Sequence, residues 1–284
     1  MFSIIIPTYN NLNYLKLCLN SIKKNSFKIH EIILHINEGT DGTLDYAKSN
    51  NLKYTFSKNN IGLCSSMNLA TKKSTKDYIL YSHDDMYFCP LWDKYFIDEL
   101  KKINHNKFYL SGTMIEPNSG HIVYNFGTNL KDFRESELLS KYKNINFYDH
   151  QGTHFAPHLV HKKLWNKVGG FSEEFNPGIT SDPDFNIKLW NEGVRIFKGI
   201  NNCKVYHFSS VTTRKKKNFI QNKGEKVFLK KWGFSSKFFK KHYLRSETRY
   251  TSPLSEPKKN FSYFVDLTIC KLKILYLSLF VKKI

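Results

Sequence analysis

The first ninety residues alternate short apolar runs with stretches of helical spacing. Phe2–Thr8, mostly apolar, reads as a first, fully buried strand ending at Pro7. Asn10 or Asn11 can cap a helix in which Leu12, Leu15, Leu17, Leu19 and Ile22 partly follow a 3.6-residue period. Glu31–Asn37 predicts a second strand. The polar turn Glu38–Thr43 then leads to a helix over Leu44–Ser49. Lys53–Ser57 predicts a third strand, and Asn59-Asn60-Ile61-Gly62 turns into a helix over about Leu63–Lys73. Asp77–Leu80, rich in aromatic and β-branched residues, predicts a further strand. Strands alternating with helices imply an α/β fold with a mainly parallel sheet and helices on both faces.

The pattern then loosens. Trp92–Ile103 reads as a helix with Trp92, Tyr95, Phe96, Ile97 and Leu100 inside. Phe108–Met114 and His121–Phe126 read as strands, and the turn Pro117-Asn118-Ser119-Gly120 suits an antiparallel pair. Thr128–Gln151 is polar and aperiodic, the signature of a long binding loop, here assigned to the acceptor side. His154–His161 alternates like a strand. Its three histidines lack a nearby cysteine or acid to complete a zinc set. Asp182 can cap the helix Asn186–Glu192, with Pro183 as its first residue. Cys203–Phe208 is a last strand with His207 at its end. Phe219–Trp232 and Ser235–Tyr243 read as helices, separated by Pro253–Lys259 from the apolar segment Phe261–Val281.

Charge divides the chain into residues 1–210 and a basic helical extension, 211–284. The formal net charge is +20, and residues 211–284 carry 19 Lys or Arg against 4 Asp or Glu. Such a surface suits nucleic acid, anionic lipid or phosphorylated substrates. Asp266, Lys271 and Lys273 interrupt the last apolar segment and argue against a transmembrane span. The segment fits an amphipathic helix lying on an anionic membrane, and equally a helix docked on the rest of the chain. Cys18, Cys64, Cys89, Cys203 and Cys270 are scattered and form no CxxC, which points to a reducing cytosol rather than a disulfide framework. Met1–Pro7 lacks the charged start and long apolar core of a signal peptide.

The chemistry concentrates at Tyr81-Ser82-His83-Asp84-Asp85-Met86-Tyr87. Ligands of open α/β sheets bind beyond the carboxyl ends of strands. Two adjacent carboxylates there need a cation or a proton to relieve their repulsion. A divalent metal holding a diphosphate is one reading of Asp84-Asp85, and a solvated acidic turn is the other.

Ser3-Ile4-Ile5-Ile6-Pro7-Thr8-Tyr9-Asn10, followed by Gly39-Thr40-Asp41-Gly42-Thr43, Asn60-Ile61-Gly62 and Asp84-Asp85, resembles in order and spacing the family 2 glycosyltransferases with the GT-A fold. The resemblance runs from Phe2 to about Ser210. It implies a nucleotide-diphosphate sugar donor and a glycan or lipid-linked acceptor. Pro7, Thr8 and Tyr9 would line the base pocket, and Asn37, Glu38 and Asp41 would sit near base and ribose. Asn60 and Gly62 would help hold the nucleotide. The family often has Asp-Asp-Gly-Ser where this chain has Asn37-Glu38-Gly39-Thr40, which leaves the ribose contact open between Asn37 and Glu38. Read without the family, Gly39 and Gly42 are turn glycines. Gly169-Gly170-Phe171 would shape the floor of the site.

The resemblance also gives roles to the later residues. Asp182 matches the second residue of the family's Glu-Asp motif, the general base of inverting transferases, with Ser181 in place of the Glu and Asp184 as the second candidate. A helix N-terminus lowers a carboxylate's pKa, which would make Asp182 a weak base. His207 matches a metal-ligating histidine, so Mn²⁺ or Mg²⁺ would meet Asp85 and His207 with Asp84 beside them. Imidazole favours Mn²⁺. Apart from the resemblance, Arg214, heading Arg214-Lys215-Lys216-Lys217, could clamp the pyrophosphate as basic groups do in phosphate-transfer sites, or the run could equally be a solvated charge cluster.

Three rivals stand beside this reading. A nucleic-acid-binding protein would use the basic tail and its aromatics but leaves both acidic clusters idle. A nucleotidyltransferase would need a glycine-rich, lysine-bearing phosphate loop, which Pro7–Asn11 does not supply. An inactive scaffold is the third, since Ser82 and Ser181 stand where relatives carry acids.

Overall fold

The computed structural model describes residues 1–153, 155–208 and 221–280. Ten strands form one sheet: β1 Ser3–Tyr9, β2 Glu31–Asn37, β3 Lys53–Ser57, β4 Tyr78–Tyr81, β5 Met86–Phe88, β6 Phe108–Glu116, β7 Ile122–Val123, β8 His150–Gln151, β9 His158–His161 and β10 Ile196–His207. The order along the sheet is β3-β2-β1-β4-β9-β6-β10-β5. β3, β2, β1 and β4 run parallel. β9 is antiparallel to β4 and β6, β6 and β10 are parallel, and β5 closes the edge antiparallel to β10. The mainly parallel sheet expected from the sequence is present.

Chain order reverses between β1 and β4. The chain steps outward from β1 to β2 and β3, then returns to β4 on the other flank of β1. Right-handed crossovers therefore put α1 (Leu12–Asn25) and α2 (Thr43–Ser49) on one face, and α3 (Leu63–Thr71) on the other. Such a reversal opens a crevice at the strands' carboxyl ends. Here that crevice lies between Thr8 of β1 and the segment after Tyr81 of β4.

The rest of the sheet is buttressed by α4 (Trp92–Leu100), α5 (Glu135–Lys141), α6 (Lys162–Val168) and α7 (Ser181–Asn191). Fully buried Phe2, Ile4, Ile5, Ile33, Leu34, Leu80, Phe88, Trp92 and Phe96 build one continuous core. Phe228, Phe239, Leu244 and Leu254 from the basic C-terminal segment join that same core. The segment comprises helix Gln221–Trp232, a short helix Ser236–Phe239 running into a π-turn at Lys240–Leu244, and helix Phe261–Phe280. Among the described residues, no helix is long and apolar enough to cross a membrane.

Three expectations need correction. β7 pairs with β6 in parallel, Ile115 opposite Ile122, rather than as a hairpin. Gly120, at φ +85°, lets the chain loop back over Glu116 before β7 is laid down. Residues 128–151 are not one loop. Asp132 ties Thr128 and Asn129 into a turn, and α5 follows, with buried Leu138 packing into a second core around Tyr206 and Phe208. The cap of α7 is Thr180, in a left-handed conformation, and Asp182 lies inside the first turn.

Gly62 shows how tightly the crevice is built. Its φ of +83° with ψ of 165° belongs to a region that only glycine occupies comfortably. A Cβ there would meet Asn176 Oδ1 at 2.4 Å, the same oxygen that accepts from the Cys64 amide at 3.0 Å. We expect Gly62→Ala to lower unfolding stability by about 1–3 kcal/mol. Gly169→Ala, where φ is +72° but a Cβ meets nothing within 4 Å, should cost less. Urea unfolding of the two variants checks this, and equal losses would contradict the packing argument.

Candidate active site

Asp84 and Asp85 lie in the bend between β4 and β5, and both are buried. Asp84 is held from β1 and its following turn: Thr8 Oγ1 donates to Oδ2 at 2.7 Å and Asn11 Nδ2 to Oδ1 at 3.1 Å. Burial and the adjacent Asp85 push its carboxyl up to about 7, against the pull of those two donors. The side chain therefore faces inward as a fixed wall of the crevice.

Strand register delivers the other members. Antiparallel pairing of β5 with β10 sets His207 opposite Met86, and the Phe208 amide donates to the Asp85 carbonyl at 3.2 Å. His207 Nε2 then lies 3.1 Å from Asp85 Oδ1. Parallel pairing of β10 with β6 sets Tyr206 opposite Ile115, which brings Glu116 to the other side of the ring. His207 Nδ1 donates to Glu116 Oε1. His83 Nδ1 approaches His207 Nε2 at 3.2 Å and Asp85 Oδ1 at 4.0 Å.

Burial alone would lower the His207 imidazole, but Asp85 and Glu116 raise it to about 10. His83 is held down to about 4 by desolvation and then by the neighbouring His207. His83, Asp85 and His207 each offer one donor atom, and all three atoms lie within 4.8 Å of one another. One carboxylate and two imidazoles, oriented from behind by Glu116, make a donor set that fits a divalent transition metal. The sequence reading had Asp85 and His207 but not His83 or Glu116. His83 stood in the acidic stretch two residues before Asp85, a visible signal. Glu116 gave none, because only the β6–β10 register brings it to His207.

The nucleotide-side candidates divide by what already occupies them. Asn37 is buried and fully engaged: its amide donates to Thr8 O and Ser66 Oγ, and its oxygen accepts from Ser57 Oγ and the Ile61 amide. It knits β1, β3 and the Asn60 turn together. Glu38 lies further out, at φ +62°, accepting from Asn10 Nδ2 at 3.2 Å. Burial and then Glu38 raise the Tyr9 phenol. Asp41 accepts from the amides of Leu12 and Thr43 and so anchors the starts of α1 and α2. Asn60 Oδ1 accepts from the Gly62 amide. Pro7 is paired with His35 in the β1–β2 ladder. Arg214 falls outside the described residues, as does His154. His158 stands between the rings of Tyr81 and Tyr109, and His161 caps α6 by accepting from the Lys163 amide.

Asp182 and Asp184 have separate situations. Asp184 Oδ1 accepts from Trp232 Nε1 at 2.9 Å and pairs with Lys231 at 2.8 Å. It fastens helix Gln221–Trp232 to α7. Asp182 Oδ1 is enclosed and has no hydrogen-bond partner. Burial pushes its carboxyl up to about 7. The expected lowering by the helix N-terminus is thus reversed, because desolvation in the first turn dominates. Burial and then the charges of Asp182, Cys64 and Asp85 raise the Tyr81 phenol at the end of β4. The Tyr81 phenol thus has both Asp182 and Asp85 in its electrostatic surroundings.

An uncharacterized glycosyltransferase of Rickettsia typhi is 29% identical over 200 residues, which is 69% of this chain and 59% of the relative. The chain therefore spans about three fifths of that relative's length. Among solved structures, Staphylococcus aureus TarS residues 1–349 superposes with a TM-score of 0.55 at 17% identity, covering 99% of this chain and 75% of that one. GalNAc-T7 with UDP, GalNAc and Mn²⁺ superposes with a TM-score of 0.55 at 14% identity, covering 73% of this chain and 43% of that one. These likenesses agree with the GT-A fold expected from the sequence. With residues 3–158 matching the family model, the chain belongs to glycosyl transferase family 2.

Proposed function

We propose that this chain moves a sugar from a nucleoside diphosphate to a hydroxyl of a glycan or lipid-linked acceptor, with inversion at the anomeric carbon. The observation that carries this is the gathering of His83, Asp85 and His207, with Asp182, whose Oδ1 is enclosed without a partner, as the candidate base. The GalNAc-T7 neighbour, with UDP, GalNAc and Mn²⁺, supports the donor class and the metal. His83, Asp85 and His207 would hold the cation, and two imidazoles favour Mn²⁺ over Mg²⁺. A dication bound there would neutralise charge on the departing nucleoside diphosphate.

The chain's own residues supply the rest. Pro7, Thr8 and Tyr9 wall the base side, and Glu38 has the reach toward ribose that the engaged Asn37 lacks. Asp41, Asn60 and Gly62 set the turns around the nucleotide, and Arg214, outside the described residues, is the candidate for charge against the pyrophosphate. Asp182 takes the acceptor hydroxyl's proton while that oxygen bonds to the anomeric carbon and the bond to the diphosphate breaks. Asp184 is fully buried, with Oδ1 held by Trp232 and Lys231, whereas Asp182 is partly exposed, so the base role falls to Asp182. Five unpaired, buried cysteines support a reducing, cytosolic setting.

Asp182→Asn should lower kcat by about 10²–10⁴-fold while Kd for the donor nucleotide changes little. Full turnover in that variant removes the assignment. Burial raises this carboxyl, so the proton stays on up to about pH 7, and only the deprotonated form is a base. The wild-type kcat/KM should therefore climb with pH up to about 7 and then level off, and a flat profile from pH 5 to 8 would count against it.

The same raised pKa makes a stability prediction. An unfolded Asp loses its proton near pH 4, whereas the folded one keeps it to about 7, so this group's stabilising influence is full below pH 4 and is lost as pH rises to 7. Asp182→Asn removes the charge of a carboxylate whose Oδ1 is enclosed without a partner. Its Tm should exceed that of wild type at pH 8, by at least about 2–4 °C, and nearly match it at pH 4. Calorimetry at the two pH values decides.

Glu116→Gln should weaken Mn²⁺ binding about 10–100-fold with the fold intact, read by titration calorimetry. Unchanged affinity would mean that Glu116 does not orient His207.

A further inference from the structure

The helix Phe261–Phe280 is apolar on two opposite faces. Tyr263, Leu267, Cys270, Ile274 and Leu277 pack inward against Leu229, Phe234, Phe238 and Tyr243. On the outer face, Phe261 (85% exposed), Val265, Leu272 (61%), Leu275 and Leu279 (66%) follow helical spacing. A helix apolar all round is normally covered all round, and among the described residues only one side is covered.

Beside that face opens a cavity of about 940 Å³ between Gln221–Trp232, the Ser236–Leu244 segment and the last helix. Lys226, Lys237, Lys240, Lys241, Arg245 and Lys273 line it, against Glu225 and Glu247. Lys241 pairs with Asp266. Lys226, Lys237, Lys240 and Lys273 have no carboxylate partner among the described residues. Tyr276, 60% exposed, lines the cavity and also belongs to the outer face, so the basic hollow and the apolar stripe are continuous.

We propose that this continuous surface binds an anionic phospholipid bilayer, with the outer face of Phe261–Phe280 lying in the interface and a lipid phosphate seated among Lys237, Lys240 and Lys273. Charge decides the occupant. A second copy of this helix would bring Lys271 and Lys273 against an equally basic surface, and like charges repel across a contact. An acidic bilayer satisfies both halves at once: apolar side chains bury among acyl chains, and lysine stems reach up to the phosphates. This surface lies on the C-terminal helices, whereas the donor crevice lies at the ends of β1, β4 and β10, so vesicle binding is measured without reference to the transfer reaction.

The test is flotation of the full chain with phosphatidylcholine vesicles, with and without phosphatidylglycerol, at low and high salt. Wild type should float with the acidic vesicles, less so at high salt, and weakly with the neutral ones. Leu272→Glu with Leu275→Glu should cut partitioning at least about ten-fold. Lys237→Ala and Lys240→Ala should each cut it about five-fold. Circular dichroism of each variant should match wild type, since the two leucines are exposed and the two lysines line the open cavity. Equal binding to neutral vesicles, unchanged binding of the double-glutamate variant, binding of inorganic phosphate without vesicle binding, or a dimer in light scattering that ignores vesicles would each overturn the proposal.

Discussion

Placing Asp84 and Asp85 side by side away from water is the constraint around which this molecule is arranged. Adjacent buried carboxylates repel and lose hydration together. Asp84 is relieved by Thr8 and Asn11 and by its own raised pKa. Asp85 is relieved by His207, which Glu116 steadies from behind. Those partners come from β1, its following turn, β6 and β10, elements far apart in sequence. The reversal of strand order beside β1 makes the crevice, and the antiparallel edge strand β5 turns Asp85 toward β10. Without that turn, Asp85 and His207 would not share an ion pair. A site held by its own histidine cation in this way is already shaped for a dication of the same sign.

Asp182 is the complementary case. Its Oδ1 is enclosed with no partner, at an energetic disadvantage that packing elsewhere must offset. Asp184, two residues on, has its Oδ1 held by Trp232 and Lys231, which fastens helix Gln221–Trp232 to α7. One short segment thus carries a structural carboxylate and the one proposed as the base. A base poised near neutrality needs desolvation without a counter-charge, and the first turn of α7 supplies that.

Much of the sheet could be read in the chain. Ser3–Tyr9, Glu31–Asn37 and Lys53–Ser57 are uninterrupted strand patterns bounded by polar turns, and local pattern suffices for such elements. Asp85 stood out at the end of an apolar run, while His207 entered through the family resemblance, and the fold brings the two within 3.1 Å. What was not legible depended on register or on solvent. Glu116 matters only because β6 and β10 align Ile115 with Tyr206. The parallel β6–β7 pairing defeated a turn sequence that suits a hairpin. Asp182's pKa went against the helix-terminus expectation because burial cannot be seen along a single helix. Asn37, a candidate ribose contact by position, is spent on four internal hydrogen bonds that only the folded neighbourhood creates.

The central claim is that His83, Asp85 and His207 together hold one dication. Pulsed electron paramagnetic resonance on the Mn²⁺-loaded chain addresses it directly, since a nitrogen bound to the metal modulates the echo. The account predicts ¹⁴N modulation from two imidazoles, reduced in His83→Ala and abolished when His207 is also removed. A Mn²⁺ spectrum without directly coordinated nitrogen, or one unchanged by both substitutions, would contradict it.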